Sequence, residues 1–142
     1  MRIPIVNEQD EIIGIKDRNE VVVEDIYRVS SLWITNSKGE ILLARRAFNK
    51  RQDPGKWGPA VAGTVEEGET YESNIIKETE EEIGLTNFKP ILSSKVRSTG
   101  QHNYFCQRFS LVIDKNISEF KIQEDEVAEI KWFAQEELKK EL

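Results

Sequence analysis

Tyr71, Ile75, Ile76, Thr79 and Ile83 recur three or four positions apart, behind Thr70 and ahead of Gly84. That spacing predicts an amphipathic helix over residues 71–83, capped by Thr70 and stopped by Gly84. Elsewhere the period falls to two. RIPIV and IIGIK flank the polar NEQDE and predict a hairpin. Residues 27–35 and 41–45 read as antiparallel strands joined by NSKGE, with its turn at Gly39. A polar loop over 47–56 ends in Pro54 and Gly55, and residues 57–65 lead into the helix. Beyond Leu85, strands are expected over 91–96, 104–113 and 130–133, and a last helix over 135–142. The chain shows no internal repeat and no low-complexity segment. Periodicity alone gives a mixture of α and β.

Composition narrows the class. A chain of 142 residues, 38% hydrophobic and 32% charged, suits a single compact domain over residues 1–142. Its net charge of -6 argues against general nucleic-acid binding, which calls for a basic face. The start lacks an apolar signal core, and no apolar run approaches a membrane span, so no membrane association and a cytoplasmic location are expected. Cys106 is the only cysteine and His102 the only histidine, which excludes an internal disulfide and zinc sites built on those residues.

The helix carries the candidate chemistry. Glu78, Glu81 and Glu82 stand three and four apart and share one side. Glu82 falls between Tyr71 and Ile75 on the wheel, at the edge of the apolar stripe, where an unpaired carboxylate is costly. Glu80 points elsewhere, as a solvated charge. Taken alone, KETEEE reads as a solvated acidic face; clustered carboxylates also suit a hard divalent cation such as Mg2+ or Mn2+.

The surroundings of that run resemble the Nudix box, GX5EX7REUXEEXGU with U a bulky aliphatic. Gly63, Glu69, Glu78, Glu81, Glu82, Gly84 and Leu85 match it, while Lys77 stands for the arginine and Thr79 for an aliphatic residue. Further segments, VNEQDEIIG, GEILLARR, DPGKWGPAVAG and QEDEVAEIKWF, extend the resemblance over nearly the whole chain, to the branch related to isopentenyl-diphosphate isomerase. The resemblance implies an α+β fold, the Nudix α/β/α sandwich with a central mixed β-sheet. It implies a pyrophosphohydrolase that cleaves a small-molecule diphosphate with Mg2+ or Mn2+. In that reading Glu81 and Glu82 are metal ligands, Glu78 is a ligand or general base, and the Ala62 carbonyl is a further ligand. Gly63, Glu69, Lys77 and Gly84 are structural parts of the motif, Glu69 pairing with Lys77. Lys77 offers a point charge where arginine offers a planar fork.

Two alternatives stand beside it. Isomerases of this branch use a cysteine before the box and several histidine ligands, whereas this chain has Ala60, Val61 and Ala62 there. The other is a catalytically weak Nudix domain that binds or regulates, suggested by Lys77 and Thr79. For the substrate phosphates, Arg45, Arg46 and Lys56 are the named candidates within a basic stretch that also holds Lys50 and Arg51. A carboxylate from outside the box could come from Glu124, Asp125 or Glu126. Trp57 reads as a packing residue behind the box or a pocket wall, His102 as an exposed loop residue or one facing the site, and Cys106 as a core residue. Nucleoside triphosphates, nucleotide sugars, dinucleotides and prenyl diphosphates all stay open as substrates, as does a homodimer.

Overall fold

The computed structural model describes residues 1–50 and 53–137. Nine strands form one mixed sheet among them: β1 (Arg2–Val6), β2 (Ile12–Asp17), β3 (Ile26–Thr35), β4 (Ile41–Arg46), β5 (Trp57–Pro59), β6 (Val61–Thr64), β7 (Ile91–Ser98), β8 (Asn103–Val112) and β9 (Val127–Phe133). The long strand β3 organises the rest. One edge pairs in parallel with β8 from Ile26↔Asn103 to Thr35↔Val112. The other edge is shared in turn by β1 at Ile26, β6 at residues 29–32 and β4 at Ile34 and Thr35. β4 continues outward to β5 and β9, and β7 closes the far side on β8.

Helix α1 (Tyr71–Ile83) lies against this sheet with the expected ends. Thr70 Oγ1 accepts from Ser73 N at 3.0 Å and Ser73 Oγ accepts from Thr70 N at 2.9 Å, a reciprocal cap. Gly84 takes a left-handed φ of 69° and returns its N–H to Glu80 O at 3.1 Å. Ile75 and Ile83 are fully buried against Leu32, Ile34, Val61 and Phe109. Each such side chain contributes about 1.5–3 kcal/mol by leaving water. Thr79 joins that face without penalty, because its hydroxyl donates to Ile75 O at 2.6 Å while its methyl stays in the core.

Most expected elements stand, with shifted ends. Residues 57–65 form two strands broken at Ala60, since β5 pairs with β4 and β6 with β3. The strand expected over 130–133 begins at Val127, drawn out by pairing with β4. Residues 135–137 are helical, and the remainder of the expected last helix, 138–142, lies outside the described residues, as does Arg51. No helix among the described residues is long and apolar enough to cross a membrane.

The N-terminal hairpin is held by one carboxylate. Asp10, in its turn, accepts from Arg28 Nε at 2.8 Å, Tyr71 Oη at 2.9 Å and Lys95 Nζ at 2.6 Å, tying hairpin, β3, α1 and β7 together. Burial opposes the charge, but these three donors outweigh it and hold the Asp10 carboxyl below its ordinary value. Asp10→Asn is therefore expected to cost about 2–3 kcal/mol at neutral pH, or about 5–10 °C in Tm, because two cations lose their partner. A lowered carboxylate pKa stabilises above the unfolded value of 3.8 and ceases to do so as pH falls through the folded value. The Tm gap between wild type and variant should thus close in strong acid. A gap that is absent at pH 7 contradicts the assignment.

Candidate active site

Strand β6 brings the backbone of residues 61–64 against α1, and Gly63 sets how close. A Cβ built there would sit 2.5 Å from Glu78 Cγ, 2.8 Å from Glu78 Cδ and 3.1 Å from Asn74 Oδ1. The absent side chain is thus the space that Glu78 fills. Asn74, fully buried, accepts from Ser30 Oγ and donates to Thr64 O and to Glu69 Oε1, both at 3.0 Å. Glu69 in turn accepts from Glu66 N at 2.8 Å and meets Lys77 Nζ at 2.6 Å. Lys77 also reaches Glu66 at 2.6 Å and stands 3.8 Å from Glu78. Burial would lower the Lys77 pKa, but the hydrogen bonds and charges of Glu66 and Glu69 outweigh it and hold the ammonium above the usual lysine range. In Glu69 burial is likewise outweighed, by Lys77, the Glu66 amide and Asn74, and its carboxyl lies below the ordinary range.

Glu78 and Glu82, one turn apart, are hydrogen-bonded to each other. Burial raises both pKa values. At Glu82 the hydrogen bond and charge of Glu78 and the charge of Glu126 push further, with Lys50 working against them. Two such carboxyls cannot both be ionised cheaply, so they share a proton unless a cation replaces it. Glu81 is exposed beside them and its charge is felt at Glu78.

The C-terminal end of α1 places the next acid. Lys121 N donates to Ile83 O at 3.0 Å and Gln123 N to Glu82 O at 2.8 Å, so residues 121–123 satisfy the last carbonyls of the helix. The turn that follows, with Glu126 N and Val127 N both on Gln123 O at 2.9 Å, sets Glu126 beside Glu82. A cleft of about 300 Å³ opens there, lined by Glu82, Glu126, the Ala62 strand, Arg45, Arg46, Lys56 and Trp57. Its lining mixes acidic side chains, Glu82, Glu126 and Asp53, with basic ones, Arg45, Arg46 and Lys56.

A family model described as the NUDIX domain matches residues 26–142. The chain belongs to the Nudix family. It is similar to an isopentenyl-diphosphate Delta-isomerase of Citrobacter koseri, 27% identical over 90% of this chain and 74% of that protein. A Nudix hydrolase of Deinococcus radiodurans is 29% identical over 74% of this chain and 64% of its own length. A crystal structure of a Deinococcus radiodurans protein shares the fold, with a TM-score of 0.81 and 24% identity over 97% of this chain and 86% of that one.

The Nudix box thus folds as one unit, but its expected residues are not gathered equally. Ala62, Glu82, Arg45, Arg46 and Lys56 line one cleft, and Glu78 joins it through Glu82. Of the three acids left open before β9, Glu126 faces the cleft, while Glu124 and Asp125 are exposed and do not line it. Arg45 is committed elsewhere: its Nε donates to Gly55 O at 2.8 Å, its Nη1 meets Glu129 at 3.3 Å, and its guanidinium covers the Phe48 ring. Lys56 is largely exposed beside Asp53. Trp57 fills both expected roles, lining the cleft and meeting Phe133 edge-on at 5.1 Å between ring centroids. His102 lines a different hollow, with Arg18 and Tyr27, and does not line this cleft. Cys106 is half-buried, 3.5 Å from Ser31 Oγ.

Glu66 and Asn74 are the residues that sequence reading passed over. An asparagine inside a helix, on its apolar stripe, was the available sign for Asn74, since asparagine is a weak helix former that favours bonds to nearby backbone. The Lys77 arrangement predicts that Lys77→Met, which leaves Glu66 and Glu69 without their cation, costs about 1–3 kcal/mol. Lys77→Arg should retain most of that stability by the same two ion pairs. Thermal melting of both variants checks it, and equal melting of Lys77→Met and wild type contradicts it.

Proposed function

We propose that this chain, acting as a single domain over residues 1–142, is a pyrophosphohydrolase that cleaves a diphosphate linkage in a small molecule with the help of Mg2+ or Mn2+. The observation that carries the reading is the gathering of Glu82 and Glu126, with Glu78 beside Glu82, in a cleft that Arg45, Arg46 and Lys56 also line. The donor set fits a hard divalent ion, being oxygen throughout: Glu78, Glu81, Glu82, the Ala62 carbonyl and Glu126. No three acidic, histidine or cysteine side chains among the described residues stand ready as a cage, so an ion would have to draw these donors together around it. A divalent ion held by these oxygens would supply charge neutralisation at the non-bridging phosphate oxygens and would lower the pKa of bound water.

The chain's own groups do the rest. Water attacks phosphorus and the bridging P–O bond breaks, with the electron pair leaving on the departing phosphate or phosphate ester. Glu78, once ionised, is placed to hold the ligand array or to take the proton of that water. Arg46 and Lys56, which line the cleft, would meet the phosphate oxygens, and Arg45 positions the loop that carries Lys56.

The isomerase chemistry of some relatives requires an acid aimed at carbon. Cys106 and His102 both lie outside the cleft lining, which favours hydrolysis. A panel of nucleoside triphosphates, nucleotide sugars, dinucleotides and prenyl diphosphates tests the reading. Phosphate or pyrophosphate release that needs Mg2+ or Mn2+ is expected on at least one class. Millimolar Mg2+ or Mn2+ should also raise Tm, because the ion binds the folded form. A Tm shift without release across the panel would favour a binding module; neither effect would mean that the acidic face is merely solvated.

A further inference from the structure

Lys50 stands where the loop after β4 meets the turn before β9. Its N–H donates to Ala47 O at 3.3 Å, Ala47 N donates to Glu126 O at 3.1 Å, and its ammonium closes on the Glu126 carboxylate in an ion pair. The Lys50 side chain is 25% exposed, and its charge is also felt at Glu82. Arg45 and Lys56, which line the cleft, are tied to Gly55 and Glu129 and to Asp53. Lys50 differs in that its partner, Glu126, stands beside Glu82.

Resting on the hydrolase reading above, we propose that Lys50 is a resident counter-ion of the carboxylate cluster, which gives up Glu126 when a divalent ion arrives and then binds a substrate phosphate. An ammonium and a divalent ion cannot share Glu126 and Glu82 without strong repulsion. Lysine suits the exchange because it carries a compact charge on a flexible stem. Having left Glu126, it stays over the cleft, because the bonds at Ala47 fix the backbone from which it extends. The ion and the phosphate thereby become coupled ligands: each favours the arrangement that the other needs.

The test is titration of metal-free protein with Mn2+ alone, followed by the electron paramagnetic resonance of free Mn2+. Lys50→Met and Lys50→Gln, which remove the competing charge, should bind Mn2+ about three- to tenfold more tightly than wild type, the scale of one half-exposed ion pair. Lys50→Arg should bind it as wild type does. On the best diphosphate of the panel, at saturating metal, the two neutral variants should raise KM by about fivefold or more, with a smaller change in kcat. Mn2+ affinity that is unchanged or weaker in both neutral variants overturns the counter-ion role. Tighter Mn2+ with unchanged KM overturns the transfer to phosphate. If wild type itself binds no Mn2+, the metal-dependent reading falls as well, which separates the two failures.

Discussion

Glu82→Gln is expected to lower diphosphate hydrolysis by at least about 100-fold while leaving the protein folded, because it removes a charged ligand and keeps the shape. Glu81→Gln, on the exposed side of the same cluster, should cost a similar factor. The Glu82 variant has a second signature that a merely solvated glutamate would lack. In the metal-free wild type the raised pKa means that the folded protein holds a proton which the unfolded chain releases near 4.5. Stability contributed by that proton is present at low pH and is lost as pH rises from 4.5 through the folded value of about 9. Glutamine does not titrate. The variant should therefore melt above metal-free wild type at pH 8 and lose the rise in Tm that Mn2+ gives the wild type. Near-normal activity of both variants would sink the site assignment, and so would an unchanged response of Glu82→Gln to Mn2+.

Gly63→Ala is expected to have the next largest effect. The methyl would meet Glu78 Cγ at 2.5 Å and Cδ at 2.8 Å, distances at which something must move. The backbone of β6 is fixed by pairing with β3, and Asn74 is fixed by Ser30, Thr64 and Glu69, so Glu78 is the group displaced. Overpacking of this kind costs about 1–3 kcal/mol. The loss in kcat should be larger than stability alone implies, on the order of 10- to 100-fold, since a displacement of about 1 Å at a reacting group carries that penalty. Steady-state kinetics beside thermal melting separates the two effects, and an alanine variant with wild-type kcat would show that the contact is dispensable.

What the sequence made legible was local. Thr70 and Gly84 bound α1 through bonds to residues within four positions, and the structure places both ends as expected. Spacing put Glu82 at the edge of the apolar stripe, and burial there is the first cause of its raised pKa. The resemblance gave the fold class and the motif together. Long-range terms were out of reach. The break at Ala60 arises because β5 and β6 answer to different partners. That Glu126 lines the cleft while its two acidic neighbours do not depends on residues 121–123 docking on the end of α1. Lys77 read as a weakened arginine, yet it bridges Glu66 and Glu69 at 2.6 Å each, and its pairing with Glu66 follows from the fold of the turn. Commitment of Arg45 to Gly55 and Glu129 was hidden for the same reason.

The parallel pairing of β3 with β8 has a kinetic corollary. Ser31 Oγ lies 3.5 Å from Cys106 Sγ across it although the two residues are 75 apart in sequence. The box, α1 and β7 all lie inside the loop that this pairing closes. Closing so long a loop is entropically slow, and contacts of that separation are rewarded only after the cost is met. The carboxylate cluster therefore has no firm platform until late in folding: a nascent chain that stops before residue 103 carries every acid of the box but lacks the strand that lies along one whole edge of β3. Assembly of the carboxylate cluster should then coincide with global folding and precede no part of it.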